Sequence, residues 1–552
     1  MLRSAALALA LLSSAADADT LVYNVKGVQV GAGGNLQRFG GLVIGDDGKI
    51  IELIRRTEDL NRPIEHEVDG LGRTLLPGLI DAHGHVISLG LAALQLDLVG
   101  TTSIADLQDR LRAYAGGVGP MWISGRGWNQ ELWSDKRFPT AADLDAVVRE
   151  RPVVLERVDG HALVVNSAAL KAAGITAVTS DPVGGKIERN AQGNPTGLLI
   201  DSAMDLVTSK QPPLSPMQRA RALEKAQEIL LAYGLTAVAD MGTSKADWAT
   251  MEQQAAAGRL NVRIMAYAAG LAEMPAAPVD WELGDRLTWR GVKLYDDGAL
   301  GSRGAWLKLP YADKPDTRGL QFNTDAQLKA MTAQAAARGF QLAIHAIGDA
   351  ANAQVISAYE ELARKYGPGR RWRIEHFQIA DPADIARLAP AGIIASMQPT
   401  HQTSDRLMAE ARLGPNRLAG AYAWQSVLKS GARLAFGSDF PVESPNPFAG
   451  LAAAISRQDM AGQPPGGWLP AERVSFAQAL GGFTRDAAYA GFSEDRIGSL
   501  EPGKWADFIL VDRDVTAADP QALARTQVLE TWVAGKKVWQ RAPASGRAER
   551  GK

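Results

Sequence analysis

The sequence predicts an α/β protein, a (β/α)8 TIM-like barrel with a composite β-sandwich drawn from both termini and an inserted α+β subdomain. Three observations predict it. Short apolar β runs alternate with helical stretches through the middle of the chain, which argues a parallel sheet with crossover helices. The runs number eight, the count that closes a barrel. Further β runs without helices between them stand at both ends, and neither set is large enough to bury a core of its own.

Taken in order, residues 1–18 read as an export signal: Arg3 gives a positive start, Ser4 to Ala16 is an Ala/Leu-rich apolar run, and Ala16-Asp17-Ala18 is a small-x-small cleavage site. Cleavage near Ala18 would send the mature protein out of the cell, to the periplasm in a bacterium. The competing reading is a buried or frayed N-terminal helix. No other apolar stretch approaches the ~20 residues that span a bilayer, so no membrane contact is expected of the mature form.

Residues 19–75 carry the runs Leu21–Val25, Gly41–Ile44 and Ile50–Ile54, broken by turns such as Asp46-Asp47-Gly48-Lys49. Residues 496–541 repeat the style in Trp505–Asp512 and Val528–Val533, with Ala534-Gly535-Lys536-Lys537 as a turn before Val538-Trp539. Together these two segments are expected to form the sandwich, and 542–552 a polar tail. The barrel is assigned to 76–103 plus 217–495. Its strands are Leu76–Asp81, Leu235–Asp240, Val262–Ala268, Gly291–Tyr295, Gln341–Ile344, Trp372–Ile374, Gly392–Ser396 and Arg433–Gly437. Helical stretches such as Asp325–Arg338, Ala350–Lys365 and Pro382–Leu388 fall between them. The first two strands are too far apart for one crossover. Residues 104–216 are therefore expected to be an insertion, folded because Met121–Ser124 and Pro152–Leu155 are themselves β-like.

Composition narrows the chemistry. The chain has 552 residues, 59 basic against 61 acidic side chains and a net charge of −2, so no field favours nucleic acid and the expected partner is a small molecule. Oligomeric state is left open, a homo-oligomer included. There is no cysteine, which excludes disulfides, thiolate metal sites and a cysteine nucleophile together. Any metal must use His, Asp, Glu or a modified Lys.

Such a set is visible. Asp81-Ala82-His83-Gly84-His85 follows the first strand, and residues i and i+2 of a strand point to one side, so both imidazoles face one point. With seven histidines in the chain, chance supplies about 0.1 such pairs. His345 ends the fifth strand, His376 the sixth and Asp439 the eighth. In a barrel these ends converge on the face where active sites lie, which scattered core histidines would not respect. Lys293 ends the fourth strand, where a buried amine must pair with a carboxylate or lose its charge. It reads as an ordinary ion pair, as a carboxylated ligand bridging two metals, or as an unmodified group that polarises substrate.

These residues resemble the amidohydrolase superfamily, and within it the amidohydrolase family 3 group of N-substituted formamide deformylase-like enzymes. The likeness runs from about residue 20 to residue 540, through Leu76 to His85, Arg157-Val158-Asp159-Gly160-His161, Asn194-Pro195-Thr196-Gly197, Lys293 to Ser302, His345 to Asp349, and Ile497 to Asp507. The resemblance implies one or two divalent ions, zinc by preference. His83 and His85 would hold the more buried metal with Asp439, His345 and His376 the second, and carboxylated Lys293 would bridge. Metal-activated hydroxide would attack a carbon–nitrogen bond of amide type, with Asp439 taking the proton of water and passing it to the leaving nitrogen.

Substrate contacts are read from single residues. His161 caps the mouth or is structural, Trp128 forms an apolar wall or belongs to a core, and Arg303 and Gln398 are further candidates. His401 lies five residues past the seventh strand, within reach of the mouth, and His66 reads as surface. Two other functions share the sequence: an esterase or lactonase using the same site, and an exported binding or regulatory protein without turnover.

Overall fold

Eight parallel strands line the barrel of the computed structural model: β1 (Leu79–Gly84), β2 (Leu235–Thr243), β3 (Arg263–Ala269), β4 (Leu287–Tyr295), β5 (Gln341–Ala346), β6 (Arg373–His376), β7 (Ile394–Met397) and β8 (Arg433–Phe436). The structure describes residues 19–542 except 57, 59, 61, 117–121, 159, 161 and 183–184. The export segment expected at 1–18, and the expected tail beyond residue 542, lie outside the described residues.

Each strand pairs in parallel with the next from β1 to β8. Being covered on both faces, they are near-continuously buried, β1, β6 and β7 along their whole length. Helices between them start at polar caps. Ser215 with Gln218 opens Pro216–Ala232, and Thr324 with Gln327 opens Asp325–Ala337, each a reciprocal capping box. A short strand, Val279–Glu282, adds antiparallel to β4 outside the barrel path.

Closure between β8 and β1 is not a ladder. One isolated parallel bridge, Gly84 to Phe440, joins them, with the Asp439 N–H donating to His83 O at 2.7 Å and the His85 N–H to Phe440 O at 2.9 Å. Gly437 permits this approach: a Cβ there would stand 2.5 Å from both Asp81 Oδ1 and the His83 nitrogen.

Strands from both termini join in one sheet. Thr20–Val30 pairs in parallel with His66–Pro77, which pairs antiparallel with Phe508–Val511, and Val528–Val533 and Lys536–Gln540 extend that side. The expected sandwich is hydrogen-bonded as one eight-stranded sheet. Residues from both of its wings, among them Ile44, Ile50, Phe508 and Trp532, still share one apolar interior. The Arg263 guanidinium at the start of β3 donates to Asp507 at 2.7 and 3.0 Å, a buried ion pair joining this sheet to the barrel.

The insertion has its own six-stranded sheet and apolar core. It begins earlier than residue 104, because Leu96–Asp97 pairs in parallel with Gly125 and Arg126 and Leu96 and Leu98 pack into the subdomain. Arg126 reaches back to the barrel, donating to Pro441 O at 3.3 Å on the loop after β8. Among the described residues no helix is long and apolar enough to cross a membrane.

Candidate metal centre

The end of β1 is locked by Asp81. Its buried carboxylate accepts the His83 N–H at 3.0 Å, the Ser438 N–H at 3.0 Å and the Ser438 hydroxyl at 2.7 Å, tying β1 to the segment that carries Asp439. Burial raises its pKa to about 7 against these donors. Asp240 on β2 takes the Val86 N–H at 2.7 Å and so fixes the helix that starts after His85. His376 and Asp439 have φ of 76° and 60°. Such left-handed backbone is uncommon away from glycine and breaks strand alternation at these two positions.

The side chains meet over the seam. His85 Nε2 lies 3.1 Å from Asp439 Oδ1, His83 Nε2 lies 3.4 Å from the same oxygen, and Lys293 Nζ is 3.2 Å from His83 Nε2. On the other side His401 Nε2 lies 3.8 Å from Asp439 Oδ2, and the His376 and His401 rings stack with centroids 6.0 Å apart. His83, His85 and Asp439 each offer one ligand atom within 4.8 Å of the others, and so do His376, His401 and Asp439.

The donor chemistry fits a divalent cation. His83 is pushed down to about 4 by burial and then by Lys293, and His376 well below its ordinary value by burial and the neighbouring His345, so both are neutral ligands at pH 7. His83 Nδ1 sits 2.6 Å from Glu375 Oε2, which leaves the Nε2 lone pair for the centre, and His376 Nδ1 sits 3.0 Å from Gln398 Oε1 in the same sense. His401 Nε2 is a buried atom without a hydrogen-bond partner, a costly arrangement unless a ligand supplies one. Asp439 is held well below its ordinary value: burial works to raise it, and the surrounding histidines outweigh burial. It is a carboxylate at neutral pH.

A polar column runs from this centre down the barrel. Arg373 donates to Glu375 at 2.7 and 3.0 Å, to Ala82 O at 2.5 Å, to Ser396 Oγ at 2.8 Å and to the Tyr267 hydroxyl at 3.0 Å. The Tyr267 hydroxyl in turn donates to Gln341 at 2.6 Å. Burial works to raise the Glu375 pKa, yet Arg373, His83 and Lys293 together hold it below the ordinary carboxylate range. Lys293 is lowered to about 8, burial being the main cause.

Five residues expected as ligands, His83, His85, Lys293, His376 and Asp439, come together here. His345 stands beside them: its ring is 4.6 Å from that of His376 and its Nε2, 3.5 Å from Asp297 Oδ1, is like that of His401 a buried atom without a hydrogen-bond partner, although it joins neither three-residue group. Asp297 itself accepts three backbone N–H groups, from Trp306, Ile347 and Gly348.

The expected substrate contacts need correction. Trp128 is fully buried in the core of the insertion, against Trp133 and Phe138, with its Nε1–H donating to Leu155 O at 2.8 Å, so it forms no wall of the mouth. Arg303 is engaged by Asp313 at 3.2 and 2.8 Å, beside Arg412, and acts as a loop clamp. Gln398 is buried against His376 and orients that ring instead of facing substrate. His161 lies outside the described residues, and His66 is exposed. Sequence reasoning gave no role to Glu375 or to Asp81. A carboxylate two residues after a buried arginine on a barrel strand was the available signal for the first.

The model of the amidohydrolase family matches residues 66–539. The chain is 36% identical to Protein LONG AFTER FAR-RED 3 of Arabidopsis thaliana over 86% of its length and 83% of that protein. It is 33% identical to the putative amidohydrolase YtcJ of Bacillus subtilis, covering 88% and 93%. It is 29% identical to N-substituted formamide deformylase of Arthrobacter pascens, covering 87% and 91%. Among solved structures, an uncharacterized metal-dependent hydrolase from Pyrococcus horikoshii is similar with a TM-score of 0.77 at 27% identity, covering 91% of this chain and 99% of that one.

Proposed function

The chain belongs to the amidohydrolase family, and from that premise we propose that it hydrolyses a carbon–nitrogen bond of amide type in a small molecule. One observation carries the reading: Asp439 stands between two groups of histidines, its Oδ1 toward His83 and His85 and its Oδ2 toward His401, above the carboxyl ends of the barrel strands. A divalent cation, zinc in this proposal, would be held by His83, His85 and Asp439 and a second by His376 with its neighbours. When bound, it supplies Lewis-acid activation of water at neutral pH and polarises the scissile carbonyl.

The residues of the chain do the rest. Asp439, ionised and beside the centre, accepts a proton from the attacking water and returns it to the leaving nitrogen, so that a C–O bond forms as the C–N bond breaks. Glu375 keeps the proton of His83 on Nδ1. Lys293, with part of its amine neutral near pH 8, is proposed to condense with carbon dioxide and bridge the two groups. The closeness to a named formamide deformylase supports the choice of C–N over C–O bonds. Export by the segment 1–18 belongs to the same proposal, and N-terminal sequencing of protein recovered outside the cytoplasm checks it.

The test is a cation analysis of the purified protein followed by matched amide and ester substrates, with chelation and restoration as controls. Hydrolysis of the amide set, abolished by chelation and restored by zinc, is expected. Asp439→Asn that is folded, loaded with metal and fully active would sink the assignment of the base. Turnover of esters alone would sink the bond assignment.

A further inference from the structure

We infer that His401 is a further cation ligand of this centre, completing with His376 and Asp439 a second site whose geometry is set by a hydrogen-bonded chain through Gln378, Tyr422 and Asp405. The inference rests on the metal-dependent reading above and adds a ligand to it.

His401 is the third residue of the helix Pro399–Leu413, which follows β7. Its side chain is 9% exposed and its Nε2 points at Asp439 Oδ2 from 3.8 Å. That distance is too long for a hydrogen bond. It suits two ligands of one cation, since atoms each about 2 Å from a zinc-sized ion stand about 3 to 4 Å apart. The Nε2 has no hydrogen-bond partner among the described residues, which leaves it open to a ligand.

The tautomer can be argued from its neighbours. The Gln378 side-chain amide lies 3.2 Å from His401 Nδ1 and 3.4 Å from the Tyr422 hydroxyl, which is 2.7 Å from Asp405 Oδ2. The Tyr422 hydroxyl gives its one proton to Asp405, its contact at 2.7 Å, and not to Gln378 at 3.4 Å. The Tyr422 oxygen can then only accept from Gln378. As placed, the Gln378 nitrogen faces His401, but the two ends of an amide are isosteric, and only the turned orientation satisfies every group at once. The amide oxygen then faces His401, the His401 proton is on Nδ1, and the Nε2 lone pair is free. His83 against Glu375 and His376 against Gln398 are built on this same plan. Three histidines, each pinned at Nδ1 by an acceptor, present Nε2 toward one carboxylate.

The probe is Co(II), titrated into the full chain after chelation, with bound equivalents counted after desalting and the cobalt absorption bands recorded. Wild-type protein is expected to take two equivalents. His401→Asn is expected to take the first as wild type does, which also reports that it folds, and the second at least tenfold more weakly with altered bands. Gln378→Leu, which leaves His401 in place but unpins its ring, is expected to weaken the second by a smaller factor. His401→Asn binding both equivalents as tightly as wild type, with unchanged bands, overturns the inference. So does a wild type that takes a single equivalent indifferent to His401→Asn, which leaves the hydrolase reading standing. A wild type that takes none overturns that reading itself.

Discussion

Replacing Glu375 with glutamine separates what the barrel column does for stability from what it does for the metal centre. The carboxylate is fully buried and receives three charge-assisted hydrogen bonds, two from Arg373 at 2.7 and 3.0 Å and one from His83 Nδ1 at 2.6 Å. The amide keeps the shape but is neutral, so the buried Arg373 guanidinium, which donates to both oxygens, loses its counter-charge whichever way the amide turns, at a cost of about 3–5 kcal/mol. Where the amide nitrogen takes the place of Oε2, His83 loses its acceptor as well, its proton moves to Nε2, the atom that faces Asp439, and cation affinity falls about 10- to 100-fold. That fall is about 1.4–2.7 kcal/mol, so the stability loss is the larger effect. Competition with a chromophoric chelator reads the affinity, and thermal unfolding of the metal-free protein reads the stability. Pairing the change with Arg373→Met removes the stranded charge and is expected to recover stability without recovering affinity. Folded Glu375→Gln that binds zinc as tightly as wild type would refute the reasoning.

Chelation is expected to speed thermal inactivation, because a cation at 100 times its dissociation constant stabilises the folded state by about 2.7 kcal/mol; unchanged inactivation rates would speak against a cation joining β1 to β8. Trp128→Phe removes the hydrogen bond to Leu155 O and is expected to cost about 1–3 kcal/mol of stability with KM unchanged, measured by thermal unfolding and steady-state kinetics. A several-fold rise in KM would put the indole at the mouth after all. Burial raises the Asp296 pKa from 3.8 to about 7, so between those values the folded chain holds a proton that the unfolded chain has lost. Stability contributed by this group therefore falls as pH rises through the window, and Asp296→Asn is expected to raise the melting temperature more at pH 8 than at pH 5.

What could be read from the sequence follows from how locally it is written. Barrel strands covered on both faces are apolar throughout, so β5 and β7 stand out as short buried runs. His83 and His85 needed only the period of a strand. The terminal sheet was harder, because Thr20–Val30 pairs with His66–Pro77, whose outer residues are charged and whose Gly70 and Gly72 read as turns. That it forms one sheet depends on pairing with residues more than 400 positions away, such as Phe508 with Pro77. Trp128 failed for another reason: a large aromatic has the same identity in a wall and in a core, and only packing decides. Glu375 was hidden by its neighbour. It points into the barrel, where His83 meets it from a strand that lies 292 positions earlier, and the positive φ of His376 lets the next side chain reach the same centre.

The centre and the closure of the barrel are one arrangement. Every other neighbouring pair of strands is held by a ladder, whereas β8 and β1 share one isolated bridge and the backbone hydrogen bonds of His83, His85 and Asp439. The residues that close the seam are thus the residues whose side chains converge above it. A cation bound to His83 and His85 on one side and to Asp439 on the other is a cross-link between positions 356 residues apart, at the joint with the fewest hydrogen bonds. The backbone hydrogen bonds of the folded barrel already hold these positions together, so a cation arriving there would meet little further loop-closure cost. The Asp81 carboxylate, which ties the His83 and Ser438 amides together, holds the two sides in register without it. The site is therefore preorganised by the seam, and a cation bound there would tighten the seam in turn.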